Sequence, residues 1–203
     1  MNILQINASV FSGNGQSSRL ADQLVASLRA QNPGAELIVR DLATEPVPHL
    51  DAARFTAFTT KDRTAEQDDV VRYSDRLIDE LKRAEVIVLG LPMYNFGVPS
   101  QLKAYFDHIA RSGVTFKYTE KGPLGLLGGK KAYVLAARGG VYAGTPADTQ
   151  TPYVRDFLAF LGIADVEFVY AEGLAISAQS RERALAAAQA RVRQLALQTR
   201  LAA

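Results

Sequence analysis

The chain has 203 residues, 48% of them hydrophobic and 22% charged, which suits one globular domain that buries a core without disulfides or structural metal and excludes disordered and fibrous classes. Cysteine is absent, so thiolate nucleophiles and cysteine-ligated metals are excluded and the cytoplasm is the default compartment. The 23 basic and 21 acidic side chains leave a formal charge of +2 without a cluster, and the longest apolar stretch, Val86 to Leu91, is far too short for a bilayer span, so neither nucleic acid nor a membrane is an expected partner.

The chain opens directly into a short apolar strand, Asn2 to Asn7, with no basic leader and hence no expected secretion signal. A loop from Ser9 to Ser18 follows, and from Arg19 the spacing of Leu20, Leu24 and Leu28 predicts a helix that Asn32, Pro33 and Gly34 stop. Glu36 to Arg40 alternates weakly, as an edge strand does. The connection Asp41 to Ala65 is long for a compact domain and carries Leu42, Val47, Leu50, Phe55 and Phe58 with no helix or strand pattern to bury them, so it is either functional or packs on a partner. Val70, Tyr73, Leu77 and Leu81 predict a helix over Glu66 to Arg83, which feeds the continuous buried strand Val86 to Leu91. Pro99 opens a helix over Ser100 to Arg111, Thr115 to Gly129 reads as a hairpin or flap, and Lys131 to Ala137 is a further strand. Thr151 and Pro152 are expected to cap a helix closing at Gly162, Val166 to Tyr170 is the fifth strand, and Leu185, Ala188, Val192 and Leu195 line a last helix over Ser180 to Leu201. The arginines at 181, 183, 191 and 193 read as a solvated face of that helix.

Strands alternating with helices in this way predict one α/β domain over 1–203, a doubly wound parallel sheet of five strands with helices on both faces. Such sheets bind ligands beyond the carboxyl ends of their strands, where the strand order reverses, so the loops after the first, third and fourth strands are where chemistry is sought. In the first of these loops, hydroxyls and free backbone donors precede a helix, which favours a phosphate. The plain alternative is helix capping by Ser17 or Ser18. Gly13 and Gly15 begin a dinucleotide-type spacing, but Ser18 takes the third position and no acidic residue is evident at the end of the second strand, so tightly bound NAD is disfavoured. A Walker lysine is also missing, and one phosphate monoester fits better than a pyrophosphate. After the third strand, Met93, Tyr94 and Phe96 can wall a flat ring while Asn95 meets its polar rim. The fourth strand ends in Ala137, Arg138, Gly139 and Gly140, where glycines let backbone approach a ligand edge. Phosphate, ring wall and close backbone approach together read as flavin mononucleotide, FMN.

Ser9, the stretch Gly15, Gln16, Ser17, the segment Met93, Tyr94, Asn95, Phe96 and the turn Arg138, Gly139, Gly140 resemble the FMN-dependent NADH azoreductases, which are also NADH:quinone oxidoreductases of flavodoxin-like fold. Gln101 to Asp107, Gly113 to Phe116 and Tyr170 to Gly173 extend the similarity nearly end to end. Two positions depart from it: Gly15 and Ala137 stand where serines are common, and each removes one hydroxyl. The resemblance implies a ping-pong cycle in which NADH or NADPH reduces the flavin and a quinone or azo compound reoxidises it. It also implies a homodimer whose second subunit completes each substrate pocket, with Tyr118 and Phe160 as lid aromatics. No side chain is expected to act as nucleophile or acid/base, since the candidate pocket supplies no cysteine, histidine or carboxylate pair. His49 and His108 are too few for a three-histidine metal site and are expected at the surface or in packing. The rival readings are an electron-carrier flavodoxin with no substrate of its own and an FMN-free regulatory module.

Overall fold

The computed structural model describes residues 1–201, with side chains through residue 198. Five parallel strands, β1 (Asn2–Asn7), β2 (Glu36–Asp41), β3 (Val86–Pro92), β6 (Lys131–Ala137) and β7 (Asp165–Ala171), form a sheet in the order β2-β1-β3-β6-β7. Between β3 and β6 the chain inserts a separate antiparallel hairpin, β4 (Phe116–Thr119) with β5 (Gly122–Gly125).

Side-chain alternation along the strands divides the core in two. Ile3, Val86, Val88, Leu135 and Val169 face α1 (Gln16–Gln31) and α6 (Ala178–Leu201), where Leu20, Leu24, Leu28, Val192 and Leu195 meet them. Leu4, Ile6, Ile87, Leu89 and Val134 face α3 (Ala65–Arg83), α4 (Ser100–Ile109) and α5 (Gln150–Phe160). The order reverses between β1 and β3, so their carboxyl-end loops border one crevice. Among the described residues, no helix is long and apolar enough to cross a membrane.

Several expectations need correction. The connection after β2 is not unstructured: it contains α2 (Ala52–Thr59), whose Asp51 side chain accepts the Arg54 amide at 2.8 Å. Leu42 and Val47 are buried in this chain's own core, whereas Phe55 stays 59% exposed. A helix this short with only Ala57 fully buried leaves no readable period. On α3 the buried stripe runs through Val71, Ser74, Leu77, Ile78 and Leu81, so Val70 sits at its margin. Thr151 and Pro152 lie inside α5 and do not cap it; the Asp148 carboxylate accepts the Thr151 amide at 3.0 Å instead. The α6 arginines are only partly a solvated face, because Arg191 pairs with Glu167 on β7 and Arg181 donates to the Leu174 carbonyl at 3.0 Å.

His108 is fully buried beneath α2, edge-on to Phe58 and Tyr73 with centroids 5.7 and 5.9 Å away. Its Nδ1 lies 3.0 Å from the Ala104 carbonyl and its Nε2 has no partner. Burial pushes its pKa below the ordinary 6.5, with Arg54 adding to the effect and Asp107 and Asp51 opposing it. The unfolded chain therefore binds a proton at His108 more readily than the native chain does. The stability that neutral His108 contributes is full above about pH 6.5 and is lost as pH falls through the depressed native value. Urea midpoints measured between pH 8 and 5 should show this loss in the wild type, and His108→Phe should flatten it.

Candidate functional site

The loop after β1 turns through a single 3₁₀ turn, Ser12–Asn14, and enters α1 at Gln16, three residues earlier than the leucine spacing indicates. Gly15 is the N-cap and no side chain caps the helix. Ser17 and Ser18 therefore do not take the capping role: both are fully buried inside the first turn, and neither Oγ has a partner. An unpaired buried hydroxyl costs stability, and the first amides of a helix lack intrahelical partners, so this helix start has donors of the kind an anion takes. Glycine at 15 has a local cause, because a Cβ there would lie 2.2 Å from Ser9 Oγ. The Ser9 side chain, itself buried, accepts the Phe11 amide at 3.2 Å.

The expectation that no acidic residue ends the second strand is corrected by Asp41, the last residue of β2. Its carboxylate is already in use: one oxygen accepts the Ser12 hydroxyl and the other accepts the Ala43 amide at 2.9 Å. It thus braces the serine loop from below and leaves little for a ribose.

After β3 the chain makes a tight turn in which Tyr94 and Gly97 exchange both backbone hydrogen bonds, at 3.2 and 3.0 Å. The two central residues, Asn95 and Phe96, hold φ of 50° and 64°. Left-handed conformations of non-glycine residues cost about 1–3 kcal/mol each and persist only where the surroundings over-determine them. The Thr149 hydroxyl holds the Phe96 carbonyl, and the Gln150 amide donates to the carbonyls of Pro92 and Gly97 at 2.9 and 3.2 Å. Asn95 and Phe96 are exposed, while the Tyr94 hydroxyl reaches across to the serine loop, accepting the Val10 amide at 3.3 Å and lying 3.5 Å from Ser9 Oγ.

Beyond β6 the backbone turns at Gly139 and Gly140. The Met93 amide donates to the Ala137 carbonyl at 3.1 Å, so this turn adjoins the previous one. A Cβ at Gly140 would lie 2.7 Å from the Tyr142 phenol, whose ring meets Phe96 edge-on at 5.6 Å. Tyr142 is thus an aromatic neighbour of the site that sequence reasoning missed, and no spacing pattern marks it. Arg138, read from sequence for its backbone alone, is among the largest fully buried side chains of the described residues. Its guanidinium contacts Asp148 and Glu172 at 3.0 Å each, Thr151 at 2.9 Å and Gln150 at 3.3 Å, and lies over the Tyr170 ring. Glu172 also accepts the Tyr142 and Ala143 amides, at 3.0 and 2.9 Å. Burial opposes ionisation of Asp148, but hydrogen bonds from Thr151 and Arg138 outweigh it and hold the carboxyl below its ordinary pKa.

The structure thus brings together Ser9, Gly15, Gln16 and Ser17 with Met93 to Phe96 and Ala137 to Gly140. It does not bring Tyr118 and Phe160 to them. Phe160 ends α5 and packs on Phe116 of the hairpin at 4.3 Å, about 15 Å along the helix axis from Gln150. Tyr118, on the same hairpin, is 73% exposed.

A parallel sheet in this order, with an uncapped serine-lined helix start at its crossover, defines a flavodoxin-like domain, and residues 1–196 match the family described by that fold. Curated relatives named FMN-dependent NADH:quinone oxidoreductase include one from Cellvibrio japonicus, 55% identical over 95% of this chain and 96% of its own. Another, from Alcanivorax borkumensis, is 58% identical over 93% of this chain and 96% of its own. Among solved structures, azoreductase AzrA superposes with a TM-score of 0.89 at 29% identity, covering 97% of this chain and 99% of its own. An FMN-dependent NADH-azoreductase from Bacillus anthracis, solved in complex with FMN, gives 0.85 at 27% identity over 96% and 99% of the two chains. The chain belongs to the flavodoxin-like family and, within it, to the group that holds these quinone oxidoreductases and azoreductases.

Replacing Arg138 by Met strands two carboxylates that share one buried counter-charge. Removing one partner of a buried ion pair costs about 3–5 kcal/mol, and urea denaturation of Arg138→Met at neutral pH should show a loss of that order.

Proposed function

We propose that this chain is an FMN-dependent oxidoreductase that uses NADH or NADPH to reduce quinones by two electrons and to cleave aromatic azo compounds. The observation that carries the reading is the buried, unpartnered Ser17 hydroxyl at an uncapped helix start, in a loop that the Tyr94 hydroxyl contacts at Ser9 and Val10. FMN, when bound, supplies the redox chemistry, passing two electrons from the nicotinamide donor to the acceptor. The chain's own residues bind and orient.

Ser9, Gln16 and Ser17 would hold the phosphate and the chain next to it through amides and hydroxyls, and the α1 dipole would favour the negative charge; the Gly15 amide is given to the Ser12 carbonyl at 3.2 Å, so Gly15 would contribute room rather than a donor. Met93, Tyr94, Asn95 and Phe96 would line the ring, with Asn95 offering its amide to a polar edge. The backbone of the Ala137 to Gly140 turn would approach another edge of the ring; the Arg138 amide is given to the Ala171 carbonyl at 2.9 Å, so N–H donors that stabilise negative charge there would come from Gly139 and Gly140. No side chain acts as nucleophile, and no metal takes part.

The same proposal includes a homodimer in the cytoplasm. Leu50, Phe55, Phe58, Phe116 and Tyr118 line a cavity of about 260 Å³ between α2 and the hairpin, and Phe55 and Tyr118 are exposed, which favours burial of this apolar surface on a second copy. Because Tyr118 and Phe160 lie far from their own chain's cofactor loops, they serve as lid aromatics over a second subunit's site.

Purified protein supplied with FMN should turn yellow and oxidise NADH with a benzoquinone or an azo dye; protein that stays colourless with excess FMN defeats the proposal. Asn95→Ala should lower quinone turnover at saturating NADH about tenfold, with a stability cost limited to about 1 kcal/mol for alanine at a left-handed position. Unchanged turnover would remove Asn95 from the site. Sedimentation at micromolar protein should give twice the chain mass, and a single-chain mass would exclude the dimer.

A further inference from the structure

Gln150 opens α5 with its side chain 1% exposed, and its three polar contacts run to both ring-facing turns. Nε2 donates to the Pro92 and Gly97 carbonyls at 2.9 and 3.2 Å, on either side of the Tyr94–Gly97 turn. Oε1 accepts the Arg138 Nε at 3.3 Å, at the root of the Gly139–Gly140 turn. A guanidinium only donates and carbonyls only accept, so the amide is held with oxygen toward Arg138 and nitrogen toward the turn. No carboxylate or hydrocarbon can satisfy both sides.

We infer that Gln150, oriented by Arg138, is a positioning residue that locks the Tyr94–Gly97 turn and the Arg138–Gly140 turn into one preformed cradle for the flavin ring. The inference rests on the FMN reading of the site. Its physical basis is the left-handed backbone at Asn95 and Phe96, a conformation that needs holding from outside. The neighbouring Thr149 hydroxyl, on the Phe96 carbonyl, holds the exposed side of the turn, and Gln150 holds the buried side. Released from Gln150, the turn samples other conformations, and FMN binding must then order it. Affinity falls while the sheet core is untouched.

The test compares wild type, Gln150→Met and Gln150→Glu as apoproteins, reading the FMN dissociation constant by quenching of flavin fluorescence, the visible circular dichroism of the bound flavin, and the melting transition. Gln150→Met should bind FMN about tenfold or more weakly, with altered visible dichroism and a melting transition that remains cooperative. Gln150→Glu keeps an acceptor for Arg138 but sets a second oxygen against the Pro92 and Gly97 carbonyls, so it too should bind FMN about tenfold or more weakly; binding within about twofold of wild type would count against the amide's role. Wild-type protein that fails to bind FMN overturns the site reading itself. Wild type that binds while Gln150→Met binds within about twofold with unchanged dichroism overturns the positioning role alone. If neither variant folds, hydrogen exchange of the wild-type apoprotein decides: a common opening rate for the Met93, Gly97 and Arg138 amides supports the cradle, and independent rates overturn it.

Discussion

A guanidinium taken out of water at the end of β6 must be surrounded by acceptors, and that requirement organises the carboxyl end of the sheet. Arg138 draws Glu172 from the end of β7, Asp148 and Thr151 from the start of α5, and the Gln150 carbonyl oxygen around itself. Glu172 then fixes the backbone at Tyr142 and Ala143, and Gln150 passes the constraint on to the turn after β3. A satisfied buried network is rigid because any displacement strands a charge, so the loops around it are held as a framed surface. A ligand that meets such a surface loses less in ordering it.

The serine loop answers a different constraint. A helix start exposes amides with no intrahelical partner, and most helices satisfy some of them with their own side chains. Here α1 starts at Gln16 behind an N-cap, Gly15, that has no side chain to cap with, and the buried Ser17 and Ser18 hydroxyls stay unpaired. Asp41 stabilises the loop from the far side through Ser12, so its own negative charge is spent in hydrogen bonds. The two constraints meet at Tyr94, whose hydroxyl touches the serine loop while its backbone belongs to the turn that Gln150 holds.

The opposite end of α5 is built differently. Glycine at 125 lets the hairpin backbone lie directly against Gly162, where a Cβ would come within 2.0 Å of the Gly162 nitrogen. That contact sets the hairpin and its aromatics Phe116 and Tyr118 beside Phe160, one helix length away from the start of α5 at the carboxyl end of the sheet. The apolar surface gathered there has α2 as its other wall.

Hydrophobic period and loop composition made the sheet, its five strands and the loops at its crossover legible, because burial on both faces writes continuous apolar runs such as Val86 to Leu91 into the chain. The short helix α2 and the true start of α1 were not legible. One has a single fully buried residue, and the other begins with serines and glutamine that read as loop. The layered architecture and the cluster of serines, aromatics and glycines at the strand ends follow from local pattern and are readable in the residues alone. Only the tertiary structure decided that Ser17 and Ser18 are unpartnered, that Asp41 is occupied, that Arg138 is a buried hub and that Gln150 bridges two turns. Apart from the two unpartnered hydroxyls, these turn on contacts between residues separated in the chain, such as Ser12 with Asp41 or Pro92 with Gln150, and the same side chain would look identical in sequence with its hydrogen bonds directed elsewhere.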